Sequence, residues 1–171
     1  SGKEFASYGA YFDGNGDYFT IPDHADFDFG TGDFTIDLWF NRKVSASQGG
    51  TIQNMLINSG ANDAAGFSLV AGNSVGDTVN FGHSVWTTVL EGTTDIVDGT
   101  WYHVAVVRNS GVSKLYVNGI EEDTVADTKD YTGFSCTLGW HGGYNGSTRD
   151  YNGYIEVVRI SKGTAHWTAN F

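Results

Sequence analysis

From Phe34 to Phe40 the residues alternate, with Phe34, Ile36, Leu38 and Phe40 on one side and Thr35, Asp37 and Trp39 on the other. A period of two is that of a pleated strand, so the segment predicts a strand with one fully apolar face. The opposite face carries a carboxylate beside an indole, and we read it as a half-buried outer layer rather than a binding surface. From Trp101 to Arg108 the alternation places Trp101, His103, Ala105 and Val107 on one face and Tyr102, Val104, Val106 and Arg108 on the other. Both faces are largely apolar, which predicts a strand inside a sandwich. It leads through Asn109-Ser110-Gly111 to a strand over Lys114 to Val117, and then through Asn118-Gly119 to Ile120 to Thr124. Asn-Gly between strands signals a hairpin, because a type I′ turn needs positive φ at both central residues.

Shorter strands are expected at Ala10 to Phe12, Tyr18 to Ile21, Met55 to Asn58, Phe67 to Ala71, Thr78 to Phe81, Val85 to Leu90 and Ser135 to Leu138, with Tyr154 to Ile160 closing the set. No helical period competes with them. Strands separated by Gly, Asn and Asp turns predict an all-β chain folded as an antiparallel two-sheet β-sandwich. The 24 glycines and single proline fit tight turns, and 171 residues fit one domain spanning 1–171. The richest loops, Ala61 to Gly66, Gly72 to Asp77 and Gly142 to Asn152, are where a β-sandwich carries function.

Charge narrows the partners. Twenty acidic against nine basic residues give a net charge of −11, which opposes phosphate backbones and anionic membrane surfaces, so nucleic acid is not an expected partner. No stretch approaches the roughly 20 apolar residues of a membrane helix, and no membrane insertion is expected. The one cysteine, Cys136, lies in the apolar run Phe134 to Leu138 and is expected to be a buried small hydrophobe.

Three segments, taken in order, resemble the laminin G-like members of the concanavalin A-like lectin and glucanase superfamily, which implies a jelly-roll sandwich. They are Phe12-Asp13-Gly14 with Gly16-Asp17-Tyr18-Phe19 and Phe34 to Trp39; Trp101 to Arg108 with Leu115-Tyr116-Val117-Asn118-Gly119; and Gly153 to Ile160. The ending Ile160-Ser161-Lys162-Gly163-Thr164-Ala165 with Trp167 and Phe171 is similar to tails of such domains in bacteriophage and marine bacterial surface proteins. The resemblance implies a structural calcium near the N-terminal turn and the last strand, where the family usually carries Asp and this chain has Glu156.

The superfamily includes glycoside hydrolases, but the Glu-x-Asp-x-x-Glu strand that sets two carboxylates roughly 5 Å apart has no counterpart here. Asp37 and Glu156 each stand alone on their strands, Glu121-Glu122-Asp123 follows a hairpin turn, and no Gly-x-Ser-x-Gly or His-Glu-x-x-His occurs. We expect no enzyme. For calcium, Asp13, Asn15 and Asp17 alternate as oxygen ligands would, although Tyr18 and His24 stand where an EF-hand loop needs Gly and Glu. Asx-capped turn and ion site both remain open, with Asp13, Asp17 and Glu156 as the expected metal ligands. For sugar, aromatic faces beside amides and carboxylates are the required mixture. Trp140, His141, Tyr144 and Asn145 offer it at the mouth of the long loop, Arg149 and Asp150 could form a fork for hydroxyls or an acidic sugar, and Trp86 offers a second platform. Trp39 and Trp101 are expected to be structural, His103 a satisfied core histidine, and Trp167 a pin for the C-terminal tail.

The expected function is that of a non-catalytic carbohydrate-binding or adhesion module of a larger extracellular or phage tail protein. Its partner would be a glycan or cell-surface polysaccharide, beside neighbouring domains of the parent, and its location the extracellular space, a cell surface or a virion. The alternative is a structural or protein-interaction domain of a virion or surface protein, whose exposed aromatics contact another chain.

Overall fold

A computed structural model describes residues 9–43, 53–58, 66–72, 76–83, 87–132, 135–139 and 150–171. Within them lie strands β1 (Ala10–Asp13), β2 (Phe19–Ile21), β3 (Phe34–Arg42), β4 (Gln53–Asn58), β5 (Phe67–Ala71), β6 (Val79–Gly82), β7 (Thr88–Glu91), β8 (Trp101–Asn109), β9 (Val112–Val117), β10 (Ile120–Ala126), β11 (Cys136–Leu138) and β12 (Asn152–Lys162). A single 3₁₀ turn at Ala25–Phe27 is the only helical element among the described residues. All strand pairs are antiparallel, in two six-stranded sheets ordered β1-β12-β3-β8-β9-β10 and β2-β11-β4-β5-β6-β7. The chain is the expected all-β sandwich.

The alternation in β3 is what closes it. Phe34, Ile36, Leu38 and Phe40 are fully buried and meet Phe67, Leu69 and Phe81 of the other sheet in one apolar cluster. Cys136 is buried in the same cluster, as its neighbours predicted. The β9–β10 hairpin turns at Asn118 and Gly119, with φ of 50° and 79°, the positive values that an Asn-Gly turn requires.

Two arginines seal the ends of the long strands. Arg42, at the end of β3, is 1% exposed; Nε bonds Asp98 at 2.6 Å, Nη1 bonds Asp77, and Nη2 bonds Asp77 at 2.7 Å and the Ile96 carbonyl at 3.1 Å. Arg108, at the end of β8, is fully buried and donates to the carbonyls of Gly32, Lys129 and Gly30 at 2.6–2.7 Å. Every guanidinium nitrogen is engaged, which is what allows so polar a group to be buried.

The outer face of the first sheet differs from its inner face in what covers it. After β12 the chain turns at Gly163 and runs back across β3, β8 and β9. Thr35 Oγ1 donates to the Thr164 carbonyl at 2.8 Å and accepts the His166 N–H at 3.0 Å. Further along, Lys114 reaches the Thr168 carbonyl at 3.3 Å, Asn170 Oδ1 accepts the Glu121 N–H at 2.8 Å, and the Phe171 N–H bonds the Gly119 carbonyl at 2.9 Å. Ala165 and Trp167 pack on a second small cluster of Ala105, Val107 and Tyr116, so Trp167 does pin the tail. This strap explains why both faces of β8 are apolar: one meets the other sheet and one meets the tail.

Candidate functional site

The residues expected at the loop site, Trp86, Trp140, His141, Tyr144, Asn145 and Arg149, lie outside the described residues. Asp150 lies within them, and its Oδ2 accepts the Gly16 N–H at 2.9 Å. Asp13 Oδ1 accepts the Asn15 N–H at 2.8 Å, and Asp17 Oδ2 accepts the Asp13 N–H at 3.1 Å. These carboxylates cap the backbone of a Gly-rich turn, which is the Asx-turn reading of Asp13 to Asp17. Glu156 does not join them. Asp13 pairs with Asn152 in the β1–β12 ladder, four residues before Glu156, a separation of about 13 Å at the rise of a strand. Among the described residues no three His, Cys, Asp or Glu side chains are grouped to hold a cation.

The structure instead assembles a cavity of about 600 Å³ on the outer face of the first sheet, lined by Asp37, Trp39, His103, Asn118, Gly119, Val157, Arg159, Trp167 and Phe171. Strand parity supplies the first part of it. With Ile36, Leu38 and Phe40 turned inward, Asp37 and Trp39 must face outward, and the register sets Trp39 opposite His103 on β8. The indole and imidazole centroids are 5.1 Å apart. Trp39 lies on the half-buried outer face expected for it, and His103 is buried and hydrogen-bonded as expected but on this outer wall, because the tail and not the second sheet is what lies over it.

A β-bulge supplies the second part. Opposite Leu38, β12 carries both Val157 and Val158, so the ladder shifts between Glu156–Trp39 and Arg159–Asp37. Uninterrupted alternation from the buried Ile155 would aim Arg159 into the core. The extra residue reverses the parity: Val158 and Ile160 pack against the core and Arg159 comes out directly across from Asp37. The bulge is made by Val157 at φ 49°, a left-handed conformation that a β-branched residue rarely adopts, and its side chain is 70% exposed at the cavity rim. Nothing in the residue types marks this position, since Gly or Asn would be the usual signal.

Asp37 is the electrostatic centre. It is only 4% exposed, with Oδ1 at 3.3 Å from His103 Nε2 and Oδ2 accepting from Arg159 Nε at 2.7 Å. Burial by itself raises the carboxyl pKa, but the hydrogen bonds and charges of His103 and Arg159 outweigh it and hold the group below the ordinary carboxylate value. An ionised carboxylate accepts and cannot donate, so His103 Nε2 carries the proton in this pair. His103 is further fixed by its own N–H to Asn118 Oδ1 at 2.9 Å and by edge contacts with Trp167 and Phe171. Trp167 and Phe171 stack at 4.0 Å and 9°, and the Arg159 guanidinium lies 5.2 Å from the Trp167 ring. Asp37 and Trp39 were legible as a polar pair on an outer face; Arg159 and the aromatic tail arrive by tertiary structure.

The family model described as the concanavalin A-like lectin/glucanases superfamily, Laminin_G_3, matches residues 13–167. No curated protein sequence matches the chain. Among solved structures, domain 4 of AbnA, a GH43 extracellular arabinanase from Geobacillus stearothermophilus in complex with arabinotriose, superposes with a TM-score of 0.66 at 21% identity, covering 92% of this chain and 71% of that one. Mouse laminin α1 chain domains LG4-5 give 0.65 at 16% identity, covering 89% of this chain and 40% of that one. The Ruminococcus gnavus IT-sialidase CBM40 bound to α2,3-sialyllactose gives 0.58 at 18% identity, covering 87% and 91%. At these identities the likeness is one of fold.

Proposed function

Because the chain belongs to the concanavalin A-like lectin/glucanase superfamily, matched over residues 13–167, we propose that it is a non-catalytic carbohydrate-binding module of a larger protein that works outside the cell, on a surface or a virion. The observation that carries this reading is the cavity of the outer sheet face, where aromatic side chains stand around a fixed set of polar groups. Trp39 and Phe171 offer faces for the C–H surface of a sugar ring, and Arg159 and Asn118 offer N–H groups to its oxygens. Two of the similar structures hold sugars, arabinotriose and sialyllactose, which supports a sugar as the ligand class here.

Catalysis finds no support in the same residues. Hydrolysis of a glycosidic bond needs one carboxyl group that can give up a proton and a second that acts as base or nucleophile. Asp37 is held ionised and both its oxygens are engaged, so it is unsuited to be the acid.

The test is a glycan-array screen of the chain at pH 7, with Trp39→Ala beside the native protein. Binding that the native chain shows and Trp39→Ala loses, with the melting temperature of the variant little changed, is the expected result. Binding that survives Trp39→Ala moves the sugar site off this face, and an array with no binding at all overturns the carbohydrate reading.

A further inference from the structure

We infer that the ligand of this cavity is a sugar bearing a carboxylate, whose two oxygens lie on the Nη1–H and Nη2–H groups of Arg159. The inference rests on the carbohydrate reading above and adds to it the chemical class of the sugar. Its starting point is a contrast between arginines. Arg42 and Arg108 are buried and bonded through all three guanidinium nitrogens. Arg159 is bonded through Nε alone; among the described residues neither Nη has a partner, and the side chain is 45% exposed at the cavity.

The guanidinium is nevertheless not a loose surface group. Asp37 holds it from behind at 2.7 Å and the Trp167 ring lies under it at 5.2 Å. Two outward-facing donors are therefore presented in a fixed fork. A group already held in place loses little further freedom on binding, so more of the contact energy appears as affinity.

The other polar groups of the cavity lean the same way. Each oxygen of Asp37 already accepts from His103 or Arg159, and at 4% exposure the carboxylate has little surface left for a hydroxyl, while Asn118 Oδ1 already accepts the backbone N–H of His103. What remains from Arg159 and Asn118 are donors, the Nη hydrogens and the Asn118 amide hydrogens. Sugar hydroxyls bring both a donor and an acceptor, and their protons would meet few acceptors here. A carboxylate brings acceptors only, and its planar pair of oxygens matches the guanidinium fork. Trp39, Trp167, Phe171 and Val157 leave an apolar rim for the ring that carries it. The net charge of −11 opposes an anion at a distance, but it is screened beyond about 8 Å at physiological salt, whereas the fork acts at contact.

The experiment titrates the native chain, Arg159→Lys and Trp39→Ala in 0.15 M salt at pH 7, read by the NMR signals of the tryptophan indole N–H groups. The probes are the methyl glycosides of glucuronic acid, galacturonic acid and N-acetylneuraminic acid, each against its carboxyl-reduced counterpart. The expected result is saturable shifts at Trp39 and Trp167 with at least one acidic sugar. Its Kd should be at least about tenfold lower than that of its neutral counterpart, the scale of a charge-assisted hydrogen bond pair. Arg159→Lys keeps the charge but not the fork and should erase most of that ratio; Trp39→Ala should weaken acidic and neutral sugars alike. If neutral sugars bind as well as acidic ones and Trp39→Ala removes both, the carbohydrate reading stands and the carboxylate inference falls. If none of the six shifts either indole, the carboxylate inference falls, and the glycan array alone decides the carbohydrate reading. The acidic-to-neutral ratio in the native chain decides the inference even if Arg159→Lys proves unstable, which a melting curve on the same sample reveals.

Discussion

The two faces of β3 are almost equally buried and are chemically opposite. Phe34, Ile36, Leu38 and Phe40 are fully buried against a second sheet, while Thr35, at 0% exposure, lies under a strap of nine residues and Asp37, at 4%, lies beside it. A sheet covers its neighbour along the whole length of each strand and leaves no gap, so only apolar side chains serve there. A single irregular segment covers a stripe. Beside the stripe the face stays open, and the polar groups at its edge must satisfy one another, as Asp37, His103 and Arg159 do. Burial alone therefore does not separate core from site; the identity of the covering element does.

The largest effect in this comparison is expected on the inner face. Leu38→Ala leaves a cavity between the sheets and should cost about 2–5 kcal/mol in urea unfolding. Sugar affinity, measured where the variant is still folded, should be unchanged. A loss of binding that matched the native chain's loss on Trp39→Ala would mean that the two faces are not independent.

Asp37→Ala comes next. It strips His103 and Arg159 of their shared partner and should destabilise by about 1–3 kcal/mol, less than a fully buried pair because Arg159 reaches water. The same carboxylate has a pH signature. Its folded-state pKa lies below the unfolded value near 3.9, so its contribution is complete above that value and is lost as the pH falls through the lower, folded one. In Asp37→Asn the acid limb of stability against pH should be shallower than in the native chain, and identical limbs would show that Asp37 is not held as described.

Gly119→Ala tests the strap. A Cβ at this position would collide with the carbonyl of Phe171, and the left-handed φ adds about 1–2 kcal/mol of its own. We expect a modest fall in melting temperature but a large gain in hydrogen exchange at the Phe171 N–H, whose acceptor is the Gly119 carbonyl. Protection that persisted there would mean the tail is held from elsewhere.

The smallest effect is expected from calcium. With Asp13, Asp17 and Asp150 bonded to backbone N–H groups and Glu156 about 13 Å along the strand, millimolar calcium against chelator should leave the melting temperature within about 1 °C. A rise of several degrees would mean that an ion is held after all, by carboxylates together with backbone carbonyls.

Much of the sandwich was legible because its signals are local. Alternation at Phe34 to Phe40 located the strand and its two faces, and Asn118-Gly119 located the hairpin. Trp167 was readable as a tail anchor from its position alone. The candidate site was legible only as the pair Asp37 and Trp39. His103 sits on an apolar face whose covering lies more than 60 residues further along the chain, and the period of two cannot say whether a sheet or a tail lies over it.

The sequence by itself determined the strand class, the inward and outward sets of β3, the two alternating sets of β8, and the turns that join neighbouring strands, since each depends on residues a few positions apart. Tertiary structure alone decided that Arg159 faces Asp37. A strand's parity is local, but one extra residue at Val157 reverses it for everything beyond, and only pairing against β3 and packing of Val158 and Ile160 into the core hold that bulge in place.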